Sequence, residues 1–128
     1  MYDFIIFGAT GQQGRIVSKD LLYNGYSALL CGRDESRLEN LLKEYKKAKF
    51  EYVDLREKDT IVKVMKKSGA TVAINCAEGD YNLSTMEAAL DAGLHYLDLG
   101  SDEPMTIDQF NLHDKFKEKG LTAITGCG

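Results

Sequence analysis

Three glycines spaced three residues apart are placed to hold a phosphate group. A short apolar run leads into Gly8-Ala9-Thr10-Gly11-Gln12-Gln13-Gly14, and an amphipathic run follows it. Gly8 lets the chain turn sharply, Gly11 lets the backbone approach a phosphate, and Gly14 lets the next helix pack closely on the strand. The free N–H groups at the start of that helix then face the anion. This G-x-x-G-x-x-G loop is a variant of the fingerprint that binds a dinucleotide pyrophosphate; the alternative is a tight strand–helix turn that binds nothing.

The next chemically informative residues are Cys31-Gly32-Arg33-Asp34, after the second apolar run. In NAD-binding domains, an acidic residue about 20 residues after the glycine loop holds the ribose 2′-hydroxyl. Here Arg33 stands 19 residues after Gly14, and its guanidinium would bind a 2′-phosphate and stack on the adenine. We therefore predict NADP as the cofactor. NAD is the alternative, since Asp34 would hold the hydroxyl if Arg33 points away.

A third polar position, Asp54, follows the third apolar run in the segment Val53-Asp54-Leu55. An acid at this place commonly lies near the adenine amino group, so Asp54 is a candidate cofactor-binding residue. A cap of the third helix or a solvated acid is an equal alternative.

The elements that must position these residues alternate along the chain. Apolar runs predict strands at about 3–8, 27–31, 49–53, 71–76, 95–99 and 121–125. Amphipathic runs predict helices at about 12–24, 35–47, 57–67, 82–92 and 106–119. Strands that are apolar throughout are typical of a parallel sheet covered on both faces. The prediction is one α/β domain over residues 1–128, a doubly wound six-stranded parallel sheet in the order 3-2-1-4-5-6 with three α/β/α layers, the Rossmann fold.

Residues in the connections support this division. Asp34 precedes the second predicted helix, as an N-cap residue does, and Pro104 lies just before the last one. Glycines that would end helices in the left-handed conformation follow four of the predicted helices, at Gly25, Gly69, Gly93 and Gly120.

Composition narrows the class of protein. The 128 residues carry a net charge of −4, which gives no indication of nucleic-acid binding. The apolar runs are far shorter than the roughly 20 residues that cross a bilayer, and no signal peptide is apparent. Three widely spaced cysteines, Cys31, Cys76 and Cys127, predict neither a metal site nor a disulfide framework. We therefore expect a reduced, cytoplasmic protein with no nucleic-acid or membrane partner.

The second half of the chain carries further motifs, namely N-C-A at 75–77, M-E-A-A-L-D-A-G at 86–93, H-Y-L-D-L at 95–99 and G-C-G at 126–128. Together with the glycine loop, and in this order, they resemble the N-terminal NAD(P)-binding domain of the saccharopine dehydrogenase family. The resemblance implies an oxidoreductase that transfers hydride between NAD(P) and a carbon–nitrogen bond of an amino acid or imine, as in lysine metabolism.

The same resemblance implies roles for individual residues. It places Arg33 at the adenosine ribose, and Asn75, Cys76 and Ala77 along the nicotinamide ribose. It implies pyrophosphate contacts from Gly8, Thr10, Gly11, Gln12, Gln13 and Gly14. Cys127 matches a cysteine that lies near the substrate in some saccharopine reductases, so it is a candidate catalytic residue. Its alternative is a small packing residue at the end of a strand.

The loop after N-C-A departs from the family. Relatives often have Gly-Pro and a tyrosine there, whereas this chain has Glu78-Gly79-Asp80-Tyr81 in a loop that is about two residues shorter. Tyr81 is a candidate catalytic residue because the loop after strand four borders the crevice of such sheets. The two acids would weaken phosphate binding unless they point to solvent; alternatively, they recognise an amine on the substrate.

Relatives carry a substrate domain after this segment, so the resemblance implies a cofactor domain of a longer enzyme, with the chain ending after strand six. On that expectation the chain binds a dinucleotide but turns over no amino acid or imine without the missing domain. Apolar faces that normally meet that domain make a homodimer one expected assembly. The alternative function is a stand-alone NADP(H)-binding sensor or regulatory module without catalysis.

Overall fold

Six parallel strands form one sheet in the computed structural model, which describes residues 1–100 and 103–127. The strands are β1 (Phe4–Phe7), β2 (Ala28–Gly32), β3 (Ala48–Tyr52), β4 (Val72–Asn75), β5 (His95–Asp98) and β6 (Ala123–Ile124). The helices are α1 (Gln12–Tyr23), α2 (Glu39–Glu44), α3 (Lys58–Ser68), α4 (Asn82–Ala92), α5 (Glu103–Phe110) and α6 (His113–Glu118). The strand order is 3-2-1-4-5-6, so the predicted α/β architecture is confirmed.

The position of β1 in this order sets the place where a ligand can bind. Phe7, its last residue, pairs with Cys31 of β2 on one side and with Asn75 of β4 on the other. The segments that follow β1, β2 and β4 therefore leave the sheet side by side. Strand order reverses between β1 and β4, and ligands of open α/β sheets bind beyond the carboxyl ends of the strands at such a point.

Alternate residues of the central strand face the two sides of the sheet. Ile5 and Phe7 belong to one core, which is covered by α3 and α4 and includes Phe116 of α6. Ile6 belongs to the other core, together with Leu22 of α1. Since both faces are buried, a central strand such as β1 needs apolar residues at every position, which explains its continuous apolar run in the sequence.

The helix boundaries follow the predicted capping residues in most places. Left-handed glycines end the runs after α1, α3, α4 and α6, at Gly25, Gly69, Gly93 and Gly120. The second predicted helix differs, because it opens as a 3₁₀ turn over Glu35–Leu38 and α2 ends at Glu44. Asp34 caps this turn through its side chain, as the sequence predicts.

The prediction of one continuous helix over 106–119 is wrong. The structure has α5 and α6, separated at Asn111 and Leu112, whose N–H groups bond three residues back to Asp108 and Gln109. These tight bonds end α5 as a 3₁₀-type turn. Pro104 lies inside α5 rather than before it, which its ring tolerates because N–H groups of the first helical turn have no intrahelical partner.

Among the described residues, no helix is both long enough and apolar enough to cross a membrane.

Candidate functional site

A cleft of about 410 Å³ opens at the carboxyl ends of β1, β2, β3 and β4. It occupies the switch point that the strand order defines. The cleft is lined by Gly8, Thr10, Gly11, Gly32, Arg33, Arg37, Val53, Asp54, Leu55, Cys76, Ala77, Glu78 and Tyr81. The structure therefore brings eight of the predicted site residues to one cavity: Gly8, Thr10, Gly11, Arg33, Asp54, Cys76, Ala77 and Tyr81.

The glycine loop has room for backbone but little room for side chains. Gly8 has a positive φ of 70°, and a Cβ atom there would lie 2.5 Å from the backbone nitrogen of Ala77. A Cβ atom on Gly14 would collide with the carbonyl oxygen of Gly8. Gly8 and Gly14 therefore allow β1, α1 and the end of β4 to meet closely, as their spacing predicts.

The first turn of α1 presents unpaired donors beside this loop. Gly11 is the N-cap residue and offers no side-chain cap. The first intrahelical bond runs from Arg15 N to Gly11 O, and none of the described groups accepts from the N–H of Gln12, Gln13 or Gly14. Unpaired N–H groups at the positive end of a 12-residue helix form an anion site. These residues therefore fit a pyrophosphate.

Two arginines line the side of the cleft that follows β2. Arg33 comes directly after the strand, and Arg37 follows one helical turn later in the 3₁₀ turn. Sequence reasoning missed Arg37, although its spacing of four residues from Arg33 was a usable signal. A pair of guanidinium groups can hold a phosphate more firmly than one, because each offers a planar fork of donors.

Asp34 does not line this cleft. Its Oδ1 accepts a hydrogen bond from Ser36 N at 3.1 Å, and the Ser36 hydroxyl donates to the same oxygen. Arg37 Nε lies 3.6 Å from Asp34 Oδ2. The Ser36 hydrogen bond lowers the pKa of Asp34 below its usual range, with Arg37 contributing. The Asp34 carboxylate thus contacts Ser36 and Arg37 of its own turn.

Asp54 lies at the far wall of the cleft, after β3. Its carboxylate accepts from Arg56 through Nη2 at 2.6 Å and from the Arg56 backbone N–H at 3.0 Å. These bonds lower the pKa of Asp54 to about 2. Asp54 is neither the cap nor the solvated acid that were the alternatives expected from sequence, since Glu57 is the N-cap residue of α3 and Asp54 is buried. It organises the turn before α3 and also borders the cavity.

The residues of the N-C-A segment differ in their position relative to the cleft. Cys76 and Ala77 line the cleft, whereas Asn75 is buried beneath them. Asn75 Oδ1 accepts from Ala77 N at 3.1 Å, and Asn75 Nδ2 donates to Asn82 Oδ1 at 2.7 Å. Asn75 therefore holds the loop rather than facing the cavity. Burial raises the pKa of the Cys76 thiol to about 12, so this cysteine is neutral at physiological pH.

A buried polar network beyond Asn82 was not predicted. Asp98 at the end of β5 is fully buried and accepts from Tyr96 Oη at 2.7 Å, Gln109 Nε2 at 2.9 Å and Gly126 N at 2.8 Å. The network joins the ends of β5 and β6. The local pattern of the sequence cannot predict it, because Gly126 lies 28 residues from Asp98.

Cys127, the other candidate catalytic residue, lies apart from the cleft. It is exposed at the end of β6, and its N–H donates to Asp98 O at 2.9 Å. The cleft residues do not include it. Gly128, the last residue of the predicted G-C-G motif, lies outside the described residues.

The doubly wound sheet, the glycine loop and the helix N-terminus beside a cleft at the switch point define a dinucleotide-binding Rossmann domain. The sequence model of the saccharopine dehydrogenase NADP binding domain matches residues 4–124. The chain belongs to this family, as the sequence motifs indicated.

Relatives and solved structures agree with this assignment. Carboxyaminopropylagmatine dehydrogenase of Synechocystis sp. is 36% identical over 88 residues, which are 64% of this chain and 22% of that protein. Carboxynorspermidine synthase of Vibrio alginolyticus is 31% identical over 99 residues, which are 70% of this chain and 24% of that protein. The chain thus spans less than a quarter of these relatives. Saccharopine dehydrogenase (L-Glu forming) from Saccharomyces cerevisiae superimposes with a TM-score of 0.75 at 14% identity, covering 100% of this chain and 27% of that chain, a likeness of fold alone.

Proposed function

We propose that this chain binds NADP in an oxidoreductase that transfers hydride to or from a carbon–nitrogen bond of an amine or imine. The observation that carries the proposal is that the glycine loop, which leads into the unpaired N–H groups of α1, lines the same cleft as two arginines. A pyrophosphate and a 2′-phosphate require these two sets of donors.

Different residues of the chain would contact different parts of the cofactor. The N–H groups of Gln12, Gln13 and Gly14 hold the pyrophosphate, and Gly8 allows the glycine loop to lie close to Ala77 at the end of β4. Ala77 and Cys76 border the nicotinamide ribose. When bound, the nicotinamide supplies or accepts the hydride, while the protein supplies binding and orientation.

The preference for NADP over NAD rests on Asp34 and its neighbours. An NAD site needs a free carboxylate for the ribose 2′-hydroxyl, but Asp34 is bonded to Ser36 and lies beside Arg37. Arg33 and Arg37 remain at the cavity. A charge-assisted contact of about 1.5–3 kcal/mol would favour NADPH by about 10- to 150-fold.

The amine class of substrate is supported by the relatives and by one acid. The names of the two relatives describe carboxy derivatives of agmatine and norspermidine, both of which are amines. We propose a cationic amine of this type rather than saccharopine or lysine. Glu78 lines the cleft after β4, where a carboxylate would attract an ammonium group.

Calorimetric titration with NADPH and NADH at fixed salt tests the cofactor. NADPH should bind at least about tenfold more tightly than NADH, and Arg33→Asp should remove the difference. Lys46→Asp makes the same change of charge at an exposed position outside the cleft and should leave it intact. Tighter binding of NADH by the unaltered protein would overturn the preference.

The reaction class is tested in the protein that contains this domain. NADPH oxidation is followed with an imine formed from a diamine and a carboxylated aldehyde, and separately with the same aldehyde in the absence of the diamine, where only the carbonyl group is present. Oxidation that requires the diamine supports carbon–nitrogen chemistry, whereas equal rates with the aldehyde by itself would contradict it.

A further inference from the structure

We infer, on the basis of the proposed function, that Tyr96 is a positioning residue for the cofactor cleft. Its buried hydroxyl joins the segment that carries Ala77 to the carboxyl end of β5 and, through Asp98, to the end of β6. The described residues that line the cleft do not include Tyr96. It would therefore act by holding Ala77 in place rather than by touching cofactor or substrate.

The Tyr96 hydroxyl lies between two elements of the fold. Tyr96 is in β5 and is only 1% exposed. Its Oη lies 2.7 Å from Asp98 Oδ2, at the end of the same strand, and 3.1 Å from the backbone O of Asn82, the first residue of α4. A phenol has one hydrogen to donate, and the shorter distance assigns it to the carboxylate. The hydroxyl therefore links the start of α4 to the end of β5.

The side chain of Asn82 extends this link toward the cleft. Its Oδ1 accepts from Asn75 Nδ2 at 2.7 Å, and Asn75 Oδ1 accepts from the N–H of Ala77 at 3.1 Å. Both asparagines are buried. A buried amide loses free energy when it is left without a partner, so this series of hydrogen bonds resists rearrangement. Ala77 lines the cleft and is thus tied to a hydroxyl that lies outside it.

Asp98 extends the same series to the edge of the sheet. Its Oδ1 accepts from Gly126 N at 2.8 Å and from Gly100 N at 3.2 Å. A fully buried carboxylate is costly, and an apolar side chain would serve packing alone at least as well. The acid lies where the segments after β5 and β6 meet, which supports a role in setting the positions of these segments relative to the cleft.

The position of Ala77 matters because the glycine loop lies directly against it. A Cβ atom on Gly8 would be 2.5 Å from the backbone nitrogen of Ala77, so the two backbones leave no space between them. If one hydrogen bond of the series is lost, the Ala77 segment can adopt other positions. Apparent affinity then falls with the fraction of molecules that remain competent to bind. The loss should concern the nicotinamide side of the cofactor, which the proposed function places beside Ala77.

Tyr96→Phe tests this inference because it removes one oxygen atom and keeps the ring. We expect its affinity for NADPH to fall by about two- to tenfold. Its affinity for adenosine 2′,5′-bisphosphate, which lacks the nicotinamide half, should not change. Tyr2→Phe is the matched control, since Tyr2 packs against the same core just before β1, and it should bind both probes normally. An unchanged affinity of Tyr96→Phe for NADPH, or equal losses for the two probes, would overturn the inference.

Amide resonances of the protein without cofactor give a second readout. Tyr96→Phe should shift the resonances of both Gly126 and Ala77, although only Gly126 is bonded to a direct partner of the hydroxyl. Tyr2→Phe should shift neither. A change at Gly126 without one at Ala77 would confine Tyr96 to local packing and overturn the positioning role.

A variant on the other side of the hydroxyl checks the same link, including the case in which Tyr96→Phe does not fold. Asn82→Ala removes the acceptor of Asn75 Nδ2 and should likewise shift the Ala77 resonance and weaken NADPH more than adenosine 2′,5′-bisphosphate. Equal binding of NADPH by this variant and the unaltered protein would count against the inference. Failure of the unaltered protein to bind NADPH would instead overturn the proposed function, and the Ala77 resonance would still decide whether Tyr96 holds this segment.

Discussion

The backbone N–H of Ser36 donates to the carboxylate of Asp34 at 3.1 Å, so the acid after β2 caps a turn instead of facing the cleft. The neighbouring residue, Arg33, faces the cleft. Asp34 therefore stabilises the local turn, whereas the adjacent Arg33 lines the cavity. This relationship is the physical basis for expecting a phosphate rather than a hydroxyl at the ribose.

Removing the Asp34 carboxylate tests this division of tasks. We expect Asp34→Ala to lower the thermal unfolding temperature because the cap is lost, while NADH affinity stays unchanged and NADPH affinity does not fall. Asp34→Asn should restore stability, since asparagine caps equally well. Calorimetry and thermal unfolding measure the two effects, and a large loss of NADH binding in Asp34→Ala would show that Asp34 holds the ribose.

The close approach of Gly14 to Gly8 gives a second prediction. We expect Gly14→Ala and Gly120→Ala each to destabilise the fold by about 1–3 kcal/mol, the first by collision and the second by left-handed strain. NADPH binding should be lost only in Gly14→Ala, because open space surrounds a Cβ atom at Gly120. Urea unfolding and calorimetry measure the pair. Equal affinities for NADPH would mean that the loop does not hold the cofactor.

The buried Asp98 network predicts a large effect on stability. Asp98→Ala would leave the buried amide of Gln109 and the N–H groups of Gly100 and Gly126 without this acceptor, whereas Tyr96 Oη can still donate to Asn82 O. Each unpaired buried donor costs about 1–3 kcal/mol. We therefore expect a loss of at least about 3 kcal/mol in the free energy of unfolding, measured in urea. Asp91→Ala, at an exposed position of α4, should change it by no more than about 0.5 kcal/mol. Similar values for the two variants would contradict the network.

Acid sensitivity follows from the Asp54–Arg56 pair. The pKa of Asp54 is about 2 in the folded protein and about 3.9 when unfolded. The pair therefore stabilises the fold above about pH 4, and this stabilisation is lost as the pH falls through about 2. Unfolding free energies of unaltered protein and Arg56→Gln should differ at pH 7 and converge near pH 2. Lys63→Gln controls for the lost charge, and a constant difference across this range would contradict the pairing.

The cysteines should differ in reactivity. Cys127 is exposed, Cys76 is half-buried with its pKa raised by burial to about 12, and Cys31 is buried with its pKa raised further. Only the thiolate is nucleophilic, so iodoacetamide at pH 7.5 should modify Cys127 first. Timed alkylation read by mass spectrometry gives the order. Faster modification of Cys76 would mean that the loop after β4 opens readily.

Much of the fold could be predicted because its signals are local. Continuous apolar strands, amphipathic helices and left-handed glycines each act within a few residues, and together they leave one doubly wound arrangement. The break between α5 and α6 was missed because Leu112 and Phe116 continue an apolar helical pattern across it, so periodicity gives no sign of the turn at Asn111.

The candidate site was predicted where residues follow strand ends in a known order. Arg33, Cys76 and Ala77 reach the cleft for this reason. The role of Asp54 could not be decided from the sequence, because several cationic residues lie nearby in the chain and nothing marks Arg56 as the one that pairs with it. Asp98 was missed because its acceptor role depends on Gly126 in a distant segment.

The described residues that line the cleft all precede residue 82. On the proposed assignment, the residues that select the coenzyme lie in one contiguous stretch of the sequence, and a chimera joined at the start of α4 should transfer that selection between relatives. The junction of such a chimera must preserve one contact. Asn75 and Asn82 lie on opposite sides of the junction and are joined by a hydrogen bond. The two proteins chosen for such an exchange should therefore both have this pair of asparagines.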